Sequence, residues 1–151
     1  SVGVEFYDSL SDALAGVKVV AISDSPSVKA AMDSIAGVEV FHGWEDRSAL
    51  LQADAGVTTA QFGIAETGTL VLVGNEEKHR RVSLVPPIHI ALLSKENIVH
   101  TWGDALQRLR ENPDKTISPV VSFITGPSRT ADIELQLVLG VHGPRILRVV
   151  L

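Results

Sequence analysis

The sequence has 151 residues, 45% of them hydrophobic and 21% charged, a composition typical of one globular domain and unlike that of a disordered chain. The net charge of −5 gives no support to a nucleic-acid-binding surface, and no apolar run approaches the roughly 20 residues of a transmembrane helix. Because there is no cysteine, the sequence excludes disulfides, a thiolate nucleophile and an iron–sulfur cluster held by its own thiolates; this fits a reducing, cytoplasmic setting.

The first third of the sequence alternates short apolar runs with helical patterns. Val17 to Ile22 predicts a buried strand, and Ser25-Pro26 predicts the start of a helix that ends at Gly37. Val38 to Phe41 predicts the next strand, and Asp46 to Ala53 a short helix.

The middle of the sequence predicts three more strands. Gly56 to Ala60 and Thr69 to Val73 flank the turn Gly63–Gly68, and the sequence leaves open whether they form a local antiparallel element or one bent strand. Gly74 to Lys78 predicts a polar turn, and Ile88 to Leu93 a buried strand.

The last third predicts a helix over Thr101–Glu111 and closing strands at Val120–Thr125 and Ile146–Leu151. Short apolar strands that alternate with helices indicate a mainly parallel sheet covered on both faces. We therefore predict an α/β fold in a single domain, residues 1–151.

The segment after Val120–Thr125 concentrates polar groups behind a predicted strand. Such strand ends are where parallel sheets place ligands, so we expect a small carboxylate or phosphorylated ligand to bind the loop Gly126–Thr130 at the carboxyl edge of the sheet. Ser128 and Thr130 offer hydroxyls and amides at a helix N-terminus, and Arg129 a bidentate clamp. The structural alternative is a plain helix cap by Ser128 or Thr130.

Two acids follow this loop, Asp132 and Glu134. On a helix they would point apart, whereas on an extended segment they would share a face and could hold one ligand. The structural alternative is an ion pair with Arg129 or Arg145. We assign Asp132 a catalytic role and Glu134 a ligand-binding role, because Asp132 is closer to the loop.

Three further positions carry candidate chemistry. Glu66 is a lone acid among apolar residues, either a catalytic acid or base or a structural acid bonded to turn amides; Thr67 and Gly68 of the same turn are ligand-binding candidates. His89 interrupts an apolar strand and is either a catalytic residue or a structural histidine whose polar atoms are satisfied within the core. His142 could border the same cleft. These ligand types suit zinc, manganese or iron, but without tight local spacing no metal site is predicted.

Three motifs in order carry a family resemblance: Gly63-Ile-Ala-Glu-Thr-Gly-Thr-Leu70, Pro86-Pro-Ile-His-Ile-Ala91 and Thr125-Gly-Pro-Ser-Arg-Thr-Ala-Asp-Ile-Glu134, followed by Leu139-Gly-Val-His-Gly-Pro144. The sequence resembles the LUD domain and, more narrowly, the lactate-utilisation protein C (LutC/YkgG) family. That family typically has an additional N-terminal helical segment, and a sequence that begins at Ser1 leaves open whether one precedes it.

The resemblance implies a three-layer α/β/α sandwich related to ribose-5-phosphate isomerase, glucosamine-6-phosphate deaminase and CoA transferases (the NagB/RpiA/CoA transferase-like fold). It also implies a non-redox subunit that supports oxidation of L-lactate to pyruvate with iron–sulfur partner proteins, the clusters lying in those partners and no cofactor in this chain. The resemblance assigns no catalytic residues, so the candidates above are chosen on physical grounds.

The sequence leaves a second function open. In this alternative the chain is a self-sufficient small-molecule enzyme of isomerase or CoA/acyl-transfer type, with Glu66 or Asp132 as the general base. A third reading is an interaction module without a pocket. The substrate, the electron acceptor, a homo-oligomeric state and whether the chain is itself catalytic are not decided by the sequence.

Overall fold

The computed structural model contains a six-stranded parallel sheet, a four-stranded second sheet, a two-stranded ribbon and five α-helices within the residues that it describes. Those residues are 4–43, 47–74, 78, 80–111, 120–127, 129–131, 137–139 and 143–151. None of the helices in these ranges has the length and apolar character needed to cross a membrane.

The strands are β1 Val4–Tyr7, β2 Val19–Ile22, β3 Glu39–His42, β4 Ala55–Thr59, β5 Phe62–Ile64, β6 Thr69–Val73, β7 Ile88–Leu92, β8 Ile98–Val99, β9 Val121–Ile124, β10 Arg129–Ala131, β11 Leu137–Leu139 and β12 Ile146–Val150. The helices are α1 Leu10–Ala13, α2 Pro26–Met32, α3 Arg47–Gln52, α4 Arg80–Leu84 and α5 Trp102–Arg110.

The main sheet has the strand order β1-β12-β7-β4-β2-β3, and every neighbouring pair is parallel. Its central strands β4 and β7 are largely buried on both faces, as expected for a parallel sheet covered on both sides. One face packs against α1 and α2, through residues such as Leu14, Val28 and Val57. The predicted α/β fold around a mainly parallel sheet is therefore confirmed.

The other face of the main sheet packs against α3, α4 and the second sheet. Leu50 and Val82 of the two helices contact Ala21 of β2, and Leu72 of β6 packs against Ala91 and Val149. The third layer therefore combines helices with a small sheet.

The second sheet has the order β8-β5-β6-β9 and contains two of the predicted strands. The strand β6 pairs antiparallel with β5 and with β9, whereas β4 lies in the main sheet, so the predicted strands Gly56–Ala60 and Thr69–Val73 form neither a shared antiparallel element nor one bent strand. The prediction that β9 belongs to the parallel sheet is wrong, because its register places Phe123 opposite Val71 of β6.

The helix α5 covers the outer face of the second sheet and begins with a capping box. The Thr101 hydroxyl accepts from the Asp104 backbone N–H, and the Asp104 carboxylate accepts from the Thr101 backbone N–H. The Thr101 hydroxyl also donates to this carboxylate, and the two hydrogen bonds donated by Thr101 hold the pKa of Asp104 below its ordinary value. Trp102, Ala105 and Leu109 of the helix pack on Ile64 and Val71.

The helix α4 contacts β4 backbone to backbone at Gly56. A Cβ atom at Gly56 would lie 2.0 Å from the Val82 carbonyl oxygen, far inside van der Waals contact. Only glycine can occupy this position while α4 keeps its distance from the sheet. The close approach also fixes Ser83 and Leu84, which follow Val82 in the helix.

A polar network joins the edge strand β1 to β12. Arg148 Nε donates to Glu5 Oε2 at 2.8 Å, and Arg148 Nη1 donates to the Ala13 carbonyl oxygen at 2.7 Å. The Tyr7 hydroxyl donates to the same Glu5 oxygen at 2.9 Å. The Arg148 and Tyr7 hydrogen bonds lower the pKa of Glu5, and the bond to Glu5 raises the pKa of Tyr7.

Replacing Gly56 by alanine is expected to lower the free energy of unfolding by about 1–3 kcal/mol or more, because α4 must move away from β4. Gly103→Ala is the matched control, since the nearest atom to its new Cβ is the Thr101 hydroxyl oxygen at 3.5 Å. The control is expected to be neutral or to stabilise by less than about 1 kcal/mol. Urea unfolding measures both, and equal stabilities of the two variants would contradict the backbone contact.

Replacing Glu5 by glutamine is expected to lower stability near neutral pH by less than about 1 kcal/mol, because the pair is partly exposed. A carboxyl with a depressed folded-state pKa stabilises the fold above the ordinary glutamate pKa of about 4.3, and this contribution is lost as pH falls through the folded-state value. The difference between wild type and variant should therefore shrink on acidification.

Urea unfolding between neutral and acidic pH tests the Glu5 prediction. Glu39→Gln, an exposed glutamate on β3, is the control for loss of one surface charge. A Glu5→Gln effect that persists undiminished at low pH would show that the carboxylate charge is not its cause.

Candidate functional site

The candidate site is a cavity of about 190 Å³ beside the amino ends of β7 and β12, which we name the amino-end cavity. It is lined by Ser83 and Leu84 of α4, His89 of β7, Phe123 to Pro127 of β9 and its following loop, and Gly143, Pro144 and Leu147 at the start of β12. Segments from the second, third and last sequence motifs therefore meet here.

Like Ser83, His89 of this lining is deeply buried, with 1% of its surface exposed. In the sheet register it lies between Gly56 of β4 and Leu147 of β12, and paired residues on parallel strands point to the same face. Its Nε2 atom is 2.8 Å from the hydroxyl oxygen of buried Thr58. This contact restricts the orientation of the imidazole ring.

A row of three threonine hydroxyls links the first and third sequence motifs. Thr67 Oγ1 is 2.7 Å from Thr69 Oγ1, which is 2.9 Å from Thr125 Oγ1. Thr69 is 1% exposed, whereas Thr67 and Thr125 are exposed and Thr125 lines the amino-end cavity. The turn that carries Glu66 is thus hydrogen-bonded to the edge of the cavity.

Glu66 lies on this turn with Thr67 and Gly68, and all three are exposed. The Glu66 backbone N–H donates to the His100 carbonyl oxygen, and Gly68 has a φ of 64°, a left-handed conformation that favours glycine. Because the Glu66 carboxylate is in contact with solvent, it needs no buried partner to be stable. Its catalytic role, like the binding roles of Thr67 and Gly68, stays a prediction.

The structure describes only part of the loop that the sequence singled out. Gly126 lines the amino-end cavity. Arg129 and Thr130 are described only as backbone, in β10, which pairs antiparallel with β11. The predicted helix N-terminus is therefore wrong at these two residues, because the backbone there is extended. Four candidates lie outside the described residues: Ser128, Asp132, Glu134 and His142.

The cavity does not lie where the sequence predicted. We expected the polar groups to converge at the carboxyl edge of the parallel sheet. His89 and Leu147 are each the second residue of their strands, so the cavity is at the amino edge. The reason is that β9 runs in the antiparallel second sheet, which brings the loop after it to the opposite end of β7.

The described lining suits a small ligand with one polar end. His89 and the Thr125 hydroxyl provide hydrogen-bonding groups, and Leu84, Phe123 and Leu147 provide apolar surface. None of the lining residues in the described ranges is Asp, Glu, Lys or Arg. In the same ranges no group of three or more His, Asp or Glu side chains could hold a metal ion.

Sequence reasoning missed three hydroxyl residues of this region, namely Thr58, Thr69 and Thr125. One signal was available, since Thr67 and Thr69 are two residues apart and would share a face in an extended segment. Nothing in the sequence indicated that Thr58 would contact His89, because that contact joins strands 31 residues apart.

A comparison with known families shows the family to which this chain belongs. A family model described as the LUD domain matches residues 9–151. The chain belongs to the LUD domain family. A solved structure of a DUF162 family protein from Deinococcus radiodurans supports the fold of this LUD domain, with a TM-score of 0.70 and 22% identity over 99% of this chain and 88% of that chain.

Two curated relatives have higher sequence identity to this LUD domain, over shorter aligned segments. Lactate utilization protein C of Anoxybacillus flavithermus is 39% identical over 106 residues, which are 70% of this chain and 47% of the relative. Lactate utilization protein C of Bacillus subtilis is 42% identical over 95 residues, which are 62% of this chain and 40% of the relative. The alignments thus cover less than half the length of these relatives.

Replacing Thr58 by valine is expected to destabilise the LUD domain by about 1–3 kcal/mol, because the His89 Nε2 atom loses its hydroxyl contact in a buried position. Thr58→Ser keeps the hydroxyl and is the control for the changed side-chain shape. Urea unfolding measures stability, and the imidazole ¹⁵N chemical shifts of His89 report the contact directly. A valine variant as stable as wild type, with unchanged shifts, would contradict the assigned contact.

Proposed function

We propose that this LUD domain works in lactate utilisation, as a component of a system that oxidises L-lactate to pyruvate together with iron–sulfur partner proteins. The observation that carries the proposal is the 39% and 42% identity to two proteins named Lactate utilization protein C. In this reaction the α-carbon and its hydroxyl lose two electrons and two protons. The 151 residues contain no cysteine. We therefore assign the thiolate-bound clusters, and the acceptance of the electrons, to the partner proteins.

In this proposal the amino-end cavity receives the small carboxylate. His89 is suited to exchange a proton with a ligand hydroxyl, because its ring orientation is restricted by Thr58. The Thr125 hydroxyl, and the guanidinium of Arg129 four residues further along the chain, are assigned to the carboxylate. The role assigned to Arg129 rests on its place in the sequence motif.

We expect a chimera of the Bacillus subtilis Lactate utilization protein C, with its matching segment replaced by the aligned part of this chain, to restore growth on L-lactate to a strain that lacks its own protein. His89→Leu and Arg129→Gln in the chimera should reduce growth at least about tenfold if they bind or position the ligand. The control is His100→Gln, which changes an exposed histidine outside the cavity lining.

Two results would contradict this function. A folded, stably expressed chimera that does not support growth would remove the lactate role. Lactate-dependent dye reduction by the purified chain alone, without partners or added cofactor, would contradict the subunit role. Turnover that needs Glu66 or Asp132, tested as Glu66→Gln and Asp132→Asn in isomerase or acyl-transfer assays, would instead support a self-sufficient enzyme.

A further inference from the structure

A larger hollow, of about 900 Å³, lies at the opposite end of the parallel strands from His89. Its lining includes Thr59 at the end of β4, Leu92 at the end of β7 and Val150 at the end of β12. We name it the carboxyl-end hollow. It shares no lining residue with the amino-end cavity, and none of its lining residues is among the candidates from the sequence.

The topology of the chain explains why a hollow opens at this edge. The strands β2 and β4 are neighbours in the main sheet. The chain leaves β2 for α2 on one face, whereas it leaves β4 for β5 in the second sheet on the other face. Neighbouring strands whose connections diverge in this way leave a crevice beyond their carboxyl ends, and α/β sheets bind ligands there.

The crossing from β4 to the second sheet also fixes a hydrogen-bond donor in the hollow. The Ala60 backbone N–H donates to Leu92 of the main sheet, and the Gln61 backbone N–H donates to Val71 of the second sheet. The Gln61 side chain accepts from the Val73 N–H at 2.7 Å and donates through Nε2 to Thr59 Oγ1 at 3.2 Å. An amide nitrogen has two hydrogens, so one remains for a ligand.

Ser25 supplies a second polar group. It lines the hollow and is 5% exposed, and its hydroxyl makes no capping hydrogen bond with α2 although it occupies the N-cap position. The hydroxyl is therefore available to a ligand in the hollow.

The charge and the apolar surface of the lining indicate the ligand class. Lys95 provides an exposed ammonium group and Glu96 an exposed carboxylate, and Ser94 and Asn97 add further polar groups beside them. Lys95 is thus the one cationic side chain among the described residues of this lining. Phe62 and Leu93 provide apolar surface in the same hollow. A volume of about 900 Å³ is near the upper end of the roughly 300–1,000 Å³ found for ligand pockets.

We propose that the carboxyl-end hollow binds an organic anion larger than lactate. The carboxylate or phosphate group of this ligand contacts Ser25, Gln61 and Lys95, and its apolar or ring-bearing body lies against Phe62 and Leu93. The site is distinct from the proposed lactate site and does not depend on it, because the two sites lie at opposite ends of β7.

The test is an NMR titration of the ¹⁵N-labelled chain with two probes, 1-naphthoate and 1-naphthyl phosphate, which separate carboxylate from phosphate recognition. At least one probe should shift the backbone amides of Ser25, Gln61 and Lys95 to Asn97 in a saturable way. The amides of His89 and Gly126 should not follow the same binding curve, because they border the other cavity.

Two variants test the assigned contacts. Lys95→Gln should weaken binding of the effective probe about tenfold, because a charge-assisted contact is lost, and the control Lys18→Gln should leave it unchanged. Ser25→Ala should also weaken binding while leaving thermal stability unchanged, since no capping bond is removed. The proposal is overturned if neither probe shifts these amides, if the shifts centre on His89 and Gly126, or if both variants bind like wild type.

Discussion

The close approach of α4 to β4 at Gly56 is the constraint on which the amino-end cavity depends. In the sheet register Gly56 lies directly beside His89, and Ala21 and Leu147 complete the same row on the same face. The absence of a side chain at Gly56 lets the Val82 carbonyl approach the strand. The helix then places Ser83 and Leu84 against the space that His89 borders. A backbone requirement on one strand thus sets the shape of a cavity beside the next.

The parallel strands of the main sheet separate two sites of different origin. The amino-end cavity is built from the motifs that carry the family resemblance, and its described lining contains no ionised Asp, Glu, Lys or Arg side chain. The carboxyl-end hollow arises from the divergence of the chain after β2 and β4, and its lining contains the charged residues Lys95 and Glu96. His89 and Leu93 are four residues apart on one extended segment, which corresponds to roughly 13 Å.

Much of the fold was predictable because its strands are buried on both faces. The strands β2, β4, β6, β7 and β12 were predicted from short, largely apolar runs, and α5 from the amphipathic pattern of Thr101–Glu111. The sheet to which β9 belongs was not predictable, since an apolar run does not specify its pairing partner. The helix α4 was also missed, because five residues after a polar turn show too little periodicity.

The candidate site was predictable in its residues more than in its location. The sequence singled out His89 and Gly126, and both border one cavity. It could not show that Thr58 would hold the imidazole, or that Thr69 would join two motifs, because these contacts form only when distant strands pair. Glu66 looked like a buried acid from its apolar neighbours, but the turn that carries it points it into solvent.

The three threonine hydroxyls have a consequence for communication across the molecule. Each hydroxyl can donate one hydrogen and accept others, so the row from Thr67 through Thr69 to Thr125 can be arranged in two opposite directions. A bound molecule that accepts the hydrogen of Thr125 selects one direction for the whole row, because Thr125 must then accept from Thr69 and Thr69 from Thr67. What binds at Thr125 thus sets the orientation of the Thr67 hydroxyl, on the turn of Glu66.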